Sequence, residues 1–193
     1  MAKNRDTKGD SKKSAYEKPV DEGAPQPATR SENMRWMTGF ILLSLGIFLL
    51  CSIVSYFFYW REDMSALAAS ENPIFSPIYN NVCGYYGALA GIYLVGRGFG
   101  VFALAIPAYT LLLGWRMFRS KSVRVVFITI CFSLVLILGS LTLAYIFGSN
   151  WELFGSGLGG EYGLVLTTML EGVLGGIGTL LVIIAGWLLT GLF

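Results

Sequence analysis

The sequence contains no histidine among its 193 residues. Histidine-based acid–base catalysis, bis-histidine haem and histidine-ligated zinc or copper are therefore excluded for these residues. The three cysteines, Cys51, Cys83 and Cys131, are too far apart in the sequence to form a Cys-x-x-Cys metal or redox pair. No lysine follows Lys121, so the glycine-rich second half has no phosphate-binding lysine. We predict no catalytic residue, no metal site and no cofactor site in this chain.

Charged residues are also scarce. They make up only 13% of the chain, about half of their share in a typical soluble domain. Hydrophobic residues make up 54%, and the mean hydropathy is +0.62. Eight of the 14 Lys and Arg residues lie before Met37, which leaves the rest of the chain strongly apolar. This pattern excludes an ordinary soluble domain and a fully disordered chain, and it predicts an all-α integral membrane protein.

The N-terminal segment, residues 1–33, is the polar part of the chain. It is rich in lysine and contains three prolines, and it has too few apolar residues to form a core. We predict a disordered basic cytoplasmic tail here. A basic tail can also contact nucleic acid or anionic lipid, but a solvated tail that sets membrane topology is the favoured interpretation. Residues 34–193 are predicted to form a membrane domain with four spans.

The first predicted span, 37–59, contains no charged residue. Its 23 residues reach about 34 Å as a helix, which is enough to cross a bilayer. This length and the late start argue against a cleaved signal peptide, whose apolar region is shorter and lies near the N-terminus. The polar stretch at 61–83 is predicted to be a loop. The other spans are predicted at about 98–115, 125–147 and 175–193.

The apolar stretch at 84–115 is too long for one straight span and contains Arg97. Two spans with a turn at this arginine would each be short. They would also place the cations at 116–124 on the wrong side of the membrane. We therefore predict an interfacial segment at about 84–96 before the second span. Arg97 would lie at the membrane surface, where a long cationic side chain can reach the headgroups.

A second interfacial segment is predicted at about 161–174. On a helical wheel, one arc contains Glu161, Thr168 and Glu171, and the opposite arc is apolar. The apolar arc consists of Tyr162, Val165, Leu166, Met169, Leu170, Val173 and Leu174. This pattern predicts a short amphipathic helix that lies in the interface plane before the fourth span.

The distribution of positive charge predicts the topology. Residues 1–36 carry eight Lys and Arg residues and the 116–124 loop carries four, so twelve of 14 lie on one side. The positive-inside rule makes this side the cytoplasm, with both termini inside. Four residues are predicted as interface anchors, because tryptophan and arginine favour the headgroup region. They are Trp36, Trp60, Arg97 and Trp115.

Small-xxx-small patterns recur around the predicted interfacial segments. Gly87-x-x-x-Gly91 and Gly159-x-x-x-Gly163 are two examples, and Gly172-x-x-x-Gly176 is a third. Such patterns allow helix backbones to approach closely. They are compatible with close packing inside one chain or with an interface between copies of the chain.

A small four-span transporter or channel is the alternative function. It would require a polar path through the membrane, and the predicted spans contain no charged residue. The polar groups available in the spans are mainly hydroxyls, which commonly bond to the backbone of their own helix. They include those of Ser44, Ser52, Thr129, Ser133, Ser140 and Thr142. A membrane enzyme that acts on lipid is a weaker alternative, because no acid–base pair is present.

Several positions in the second apolar stretch resemble a known pattern. An Asn-x-x-Gly-x-x-Gly-Ala run is followed by a glycine, a mid-span proline and Gly-Trp-Arg before the basic loop. This order resembles the N-terminal membrane region of the FtsK/SpoIIIE family of bacterial DNA translocases. The matching residues are Asn81, Gly84, Gly87, Ala88, Gly100, Pro107 and Gly114. The resemblance covers about residues 34–193 and implies packing roles for these positions.

The resemblance implies a membrane anchor that targets a septal DNA translocase to the division site in the bacterial inner membrane. It implies a cytoplasmic hexameric motor beyond Phe193, which uses ATP and Mg²⁺ to move DNA in cell division and chromosome segregation. The chain itself would then be a non-enzymatic part of a DNA translocase. The implied partners are the lipid bilayer, other cell-division membrane proteins and further copies of the chain, with a hexamer among the possible numbers. DNA would be contacted only through the motor.

The end of the chain supports the same expectation. The sequence stops inside the last predicted span, without the cationic flank that usually follows a span on the cytoplasmic side. We therefore expect the protein to continue into the cytoplasm.

Overall fold

The computed structural model describes residues 30–69, 79–119, 124–148 and 153–192. All regular structure in these residues is helical. Five α-helices occur in the order α1 (Arg30–Ala69), α2 (Gly84–Gly91), α3 (Ala105–Phe118), α4 (Val125–Phe147) and α5 (Gly160–Leu192). Short π- and 3₁₀-helical segments connect α2 to α3 and precede α5. They are the π-helix Ile92–Phe99 and the 3₁₀-helices Gly100–Leu104 and Leu153–Gly155.

Four helical stretches are long and apolar enough to cross a membrane, as the sequence predicts. They are Asn33–Ala69, Gly84–Phe118, Val125–Phe147 and Gly160–Leu192. The predicted fold class, an all-α membrane protein with four membrane-spanning helices, is thereby confirmed. The disordered tail predicted at 1–33 lies outside the described residues as far as residue 29, and α1 begins at Arg30.

Helix α1 extends beyond the first predicted span at both ends. The prediction of a loop from residue 61 is wrong for residues 61–69, because the helix continues to Ala69. The helix bends at Tyr59, whose backbone angles are not helical (φ −117°, ψ 16°). Tyr59 is also the last residue of the predicted span. The polar extension after it is helical because residues 64–69 consist mostly of strong helix formers, alanine, leucine and methionine.

The second long stretch is interrupted near Arg97. Gly98 has non-helical backbone angles (φ −89°, ψ −119°) and separates α2 and the π-helix from the 3₁₀-helix that leads into α3. Pro107 is the third residue of α3. At this position its missing N–H removes no hydrogen bond within α3.

Helix α5 is interrupted at Gly175, which has φ 71° and ψ 171°. This position is where the predicted fourth span begins after the predicted amphipathic segment. Before Gly175, the residues of α5 that are buried against the protein are Gly160, Gly163 and Thr167. The apolar arc remains exposed, for example at Tyr162 and Val173. Its apolar side chains therefore face away from the chain's own core.

The helices form two tightly packed pairs. At one end of α1, Gly39 lies so close to α3 that an added Cβ would be 2.5 Å from the Phe118 nitrogen and 3.0 Å from the Gly114 oxygen. Trp36 lies nearby, with its ring centroid 5.5 Å from that of Phe118. In the second pair, α4 packs along α5, where Gly186 contacts the side chain of Leu138. We refer to the region around Trp36 and Phe118 as the Trp36 end.

A buried cluster lies at the other end of the first pair. It consists of Ile53, Tyr56, Val95, Ala103 and Phe154. These side chains come from α1, the π-helix, the 3₁₀-helix before α3 and the segment before α5. We refer to this region as the Tyr56 end. The segments that connect the helices there bring the two helix pairs into one structure.

Candidate functional site

Tyr56 is the centre of the buried cluster. Its side chain is fully buried, and its hydroxyl donates a hydrogen bond to the Phe154 carbonyl oxygen at 3.2 Å. Gly91 of α2 lies directly against the Tyr56 ring, where an added Cβ would be 2.5 Å from a ring carbon. The Phe154 ring also packs against Phe57, at 4.9 Å between centroids. The Tyr56 side chain of α1 therefore contacts both α2 and the segment before α5.

Two glycine-rich backbone segments cross beside this cluster. We call the contact between residues 98–100 and 158–160 the glycine crossing. An added Cβ on Gly100 would overlap the Leu158 carbonyl oxygen and would lie 2.6 Å from its carbonyl carbon. Gly160 meets the backbone of Gly98 and Gly100 in the same way. Both Gly100 and Gly160 also have a positive φ, 62° and 73°. Only glycine satisfies the space and the backbone angle at these positions.

Hydrogen bonds fix the glycine crossing on both sides. The Val101 N–H donates to the Leu158 carbonyl oxygen at 3.0 Å. Ser140 of α4 is buried, and its hydroxyl donates to the Gly159 carbonyl oxygen at 2.6 Å. The backbone at the start of α5 is therefore bonded to the segment before α3 and to α4. These bonds satisfy carbonyl groups that would otherwise be buried without partners.

The small-xxx-small patterns have two different environments. Gly159 and Gly163 both pack on α4, and an added Cβ at either would lie 2.7 Å from the Ser140 carbonyl oxygen. Gly87 packs against the side chains of Asn81 and Cys83. These three glycines serve packing within one chain. By contrast, no atom of the described residues lies within 4 Å of an added Cβ on Gly172.

Asn81 is a buried polar residue in the segment before α2. Its Nδ2 donates to the Ser52 carbonyl oxygen at 3.1 Å, and its Oδ1 accepts from the Cys83 N–H at 3.1 Å. The neighbouring Val82 N–H donates to the Ser55 hydroxyl at 3.0 Å. We call residues 79–83 the Asn81 loop. Ser52 lies seven residues before Tyr59, about 10 Å along the helix, so the Asn81 loop packs against the side of the predicted first span.

Asp63 holds the other side of the Asn81 loop. Its side chain is fully buried, and its Oδ1 accepts a hydrogen bond from the Asn80 N–H at 3.0 Å. Within the parts of the chain that the structure describes, Asp63 Oδ2 and the Tyr79 hydroxyl have no hydrogen-bond partner. The sequence interpretation placed Asp63 in a loop and missed this role. The alanine-rich run after it could have indicated that the helix continues.

The family-matching residues occupy positions where the backbone or the packing is constrained. Ala88 and Pro107 are buried, and Gly114 lies against Leu43 and Gly39 of α1. Gly84 has a positive φ of 62°, and within the described part of the chain an added Cβ has no neighbour within 4 Å, so glycine is needed here for the backbone conformation. Asn81, Gly87 and Gly100 take part in the contacts given above. The structure thus brings Asn81 and Gly87 together and places Gly100 and Gly114 in separate contacts.

The predicted interface anchors lie at both ends of the bundle. Trp36 and Trp115 are at the Trp36 end, where both are about half exposed and Arg119 lies over the Trp115 ring at 5.1 Å. Trp60 lies beside Phe154, with Arg61 over its ring at 5.0 Å. Arg97 lies over the Tyr93 ring at 5.3 Å. The two ends of the bundle therefore both carry aromatic rings paired with arginine, an arrangement that suits a membrane interface.

The hydroxyls of the helices bond mainly to backbone carbonyl groups. Intrahelical hydrogen bonds of 2.6–3.0 Å are made by Ser44, Ser52, Thr129 and Thr142. Ser140 bonds to Gly159, as described above. Such bonds satisfy the hydroxyls inside the protein. These contacts give the hydroxyls a structural role and provide no specific support for a polar transport path.

Four long apolar helices with glycine-mediated close packing define a multi-pass α-helical membrane protein. Residues 32–193 match the family described as the 4TM region of DNA translocase FtsK/SpoIIIE, so the chain belongs to this family. The match includes α1 from residue 32 onward and every later helix. It confirms the resemblance seen in the sequence. No curated protein and no solved structure matches the chain.

Proposed function

We propose that this chain is the membrane anchor and division-site targeting module of a septal DNA translocase that acts in cell division and chromosome segregation. The observation that carries the proposal is the family match over residues 32–193, which spans the whole helical bundle. The ATP-driven motor, with its ATP, Mg²⁺ and DNA contacts, would belong to another part of the protein. The role of these residues is then structural rather than catalytic.

We place both termini in the cytoplasm of a bacterial inner membrane. The contacts at the Trp36 end support this orientation, because Trp36 at the start of α1 stacks near Phe118 at the end of α3. Arg116 and Arg119 lie at the end of α3, and Arg124 immediately precedes α4. Their positive charges favour the cytoplasmic side. The Tyr56 end is then the outer end of the bundle.

The exposed apolar faces of α1 and α5 supply surfaces for lipid and for protein partners. Phe58 of α1 is 75% exposed, and Val173 and Ile177 of α5 are 83% and 80% exposed. Faces of this kind bind lipid chains or pack against other membrane helices. We propose cell-division membrane proteins and further copies of this chain as the protein partners, with a hexamer matching a hexameric motor.

Removal of residues 34–193 tests whether the membrane domain is needed for targeting. In a translocase that contains this chain, the deletion should convert a fluorescent band at the septum into diffuse cytoplasmic fluorescence. The ATPase activity of the purified remainder should persist, because the proposal assigns no catalytic residue to the deleted segment. Fluorescence microscopy of dividing cells and an ATPase assay check the two expectations.

The matched control replaces residues 34–193 by an unrelated four-span membrane domain with the same topology. This chimera should return to the membrane but should not concentrate at the septum. Septal fluorescence of the deletion variant would contradict the targeting role. Septal fluorescence of the chimera would show that any membrane anchor suffices.

A further inference from the structure

A cavity of about 390 Å³ opens at the Tyr56 end. It lies between the last turns of α1, the π-helix and the segment that leads into α5. Its walls are mainly apolar and include Met64, Leu67 and Ile92. Two charged residues of opposite sign, Arg97 and Glu161, also line it. The cavity therefore combines an apolar interior with a cation and an anion.

A second cavity of about 300 Å³ adjoins the first at the same charged residues. Arg97 and Glu161 line both cavities, and Tyr162 and Val165 complete the second one. Tyr162 and Val165 belong to the exposed apolar arc of α5, where they are 66% and 51% exposed. A molecule at the charged pair can therefore extend along this arc without leaving an apolar surface.

The two charges do not neutralise each other directly. Both side chains are exposed, and within the described ranges no carboxylate oxygen lies within ion-pair distance of the Arg97 guanidinium. Arg97 instead lies over the Tyr93 ring at 5.3 Å. Glu161 is in the first turn of α5, where the helix dipole favours a negative charge. Both charges are therefore available to a ligand that carries the complementary pair.

We propose that this site binds a zwitterionic phospholipid whose headgroup carries a phosphate and a primary amine. Arg97 would hold the phosphate, since guanidinium groups form strong charge-assisted hydrogen bonds with phosphate oxygens. Glu161 would accept hydrogen bonds from the ammonium group. The acyl chains would occupy the apolar cavity and the exposed arc of α5. The inference is independent of the septal role and requires only that the bundle lies in a bilayer.

The combination of two opposite charges and an apolar surface favours a zwitterionic phospholipid over other ligands. An anionic lipid without an amine would satisfy Arg97 but would place its headgroup beside the negative Glu161. A soluble zwitterion would leave the apolar walls without a partner, and burial of apolar surface is favourable. A membrane helix of a protein partner could fill the apolar space. It carries no phosphate that Arg97 could hold.

Lipid retention by the purified chain tests the proposal. The chain in mild detergent would be mixed with equal amounts of dioleoyl-phosphatidylethanolamine and dioleoyl-phosphatidylglycerol and analysed by native mass spectrometry. The wild-type chain should retain the ethanolamine lipid about tenfold more than the glycerol lipid, the effect of one charge-assisted hydrogen bond. Arg97→Gln should reduce retention of both lipids. Glu161→Gln should remove the preference, because the amine loses its partner and the anionic lipid loses its repulsion.

Each variant has a matched control in the same chain. Arg119→Gln removes the arginine that lies over Trp115 at the opposite end of the bundle. Glu171→Gln removes the other exposed glutamate of α5. Both controls should retain the lipids as the wild-type chain does. Equal retention of the two lipids by the wild-type chain, or a control that behaves like its matched variant, would overturn the proposal.

Photolabelling in a bilayer gives a second readout that does not depend on the variants. An ethanolamine phospholipid with a diazirine high on one acyl chain would be reconstituted with the wild-type chain and irradiated. Labelled peptides should centre on Tyr162 and Val165, and they should outnumber labels on the exposed face of α4 near Phe127. Labels spread evenly over all exposed apolar faces, or excluded from Tyr162 and Val165 by a protein neighbour, would contradict a specific lipid site.

Discussion

Gly100→Ala should cause the largest loss of folded protein among single glycine substitutions in the second apolar stretch. The added Cβ would overlap the Leu158 carbonyl group, and the backbone at residue 100 has φ 62° and ψ −136°. This conformation costs a residue other than glycine about 2 kcal/mol, and forcing an atom into packed backbone costs about 2 kcal/mol more. The expected loss of about 4 kcal/mol in the free energy of unfolding is a large part of the stability of a typical domain.

Two further alanine substitutions separate the causes of this effect. At Gly84 the φ is also 62°, but an added Cβ is not within 4 Å of any atom in the described ranges, so Gly84→Ala should cost only about 1 kcal/mol. At Gly172 an added Cβ is equally free and φ is not positive, so Gly172→Ala should cost nothing. Size-exclusion chromatography after heating should rank the midpoint temperatures in this order. If Gly100→Ala were as stable as Gly172→Ala, the glycine crossing would not be a tight contact.

Asn81→Ala should be the most damaging substitution in the Asn81 loop. It removes the hydrogen bonds to the Ser52 carbonyl oxygen and from the Cys83 N–H. The second loss leaves a partly buried N–H without an acceptor. Two lost hydrogen bonds and one unsatisfied group correspond to about 3 kcal/mol of the free energy of unfolding. The midpoint temperature of the purified chain should fall accordingly.

Asn80→Ala is the matched control, because Asn80 has an exposed side chain and bonds to Asp63 through its backbone N–H. This bond survives the substitution, so the midpoint temperature should change little, as expected for an exposed position. The comparison of the two variants separates the effect of losing the Asn81 side-chain amide from any general effect of replacing an asparagine in this loop. Equal effects of the two substitutions would show that the Asn81 side chain does not hold the loop on α1.

The sequence predicts the helices well because their signal is local. A run of 23 uncharged residues at 37–59 and another at 125–147 indicate spans by length alone. Likewise, the backbone interruption at Gly175 lies where the helical wheel predicts a change from an amphipathic segment to a span. The predicted loop at 61–69 fails for a local reason too. Its acidic residues indicated a loop, whereas the following alanines favoured continuation of the helix.

The tertiary contacts could not be predicted from these local sequence patterns. Gly100 and Leu158 are distant in the sequence, and nothing near either residue indicates that their backbones cross. Similarly, an aspartate is usually exposed to solvent, but Asp63 is buried and accepts a hydrogen bond from the Asn80 N–H of a separate segment. The two charged residues at the cavity were predicted in separate places, Arg97 at the membrane surface after the first interfacial segment and Glu161 in the second segment. Only the packing of the Tyr56 end brings these residues together.

Two of the family positions, Gly87 and Gly100, allow close contacts between segments of different spans. Gly100 allows the segment before α3 to touch the start of α5, and Gly87 allows Asn81 to lie against α1. Both contacts are at the Tyr56 end and join segments of different spans. They fix the arrangement of the bundle there, including the apolar faces that remain exposed.

The proposed targeting role is tested most directly by asking whether the chain is sufficient for it. Residues 1–193 would be fused through Phe193 to a fluorescent protein and produced at low level in dividing bacteria, with the Gly100→Ala and Gly172→Ala variants in parallel. Our account predicts a fluorescent band at the septum for the wild-type chain and for Gly172→Ala, and loss of the band for Gly100→Ala. Uniform fluorescence around the cell membrane from a stable, membrane-inserted wild-type fusion would contradict division-site targeting by this domain.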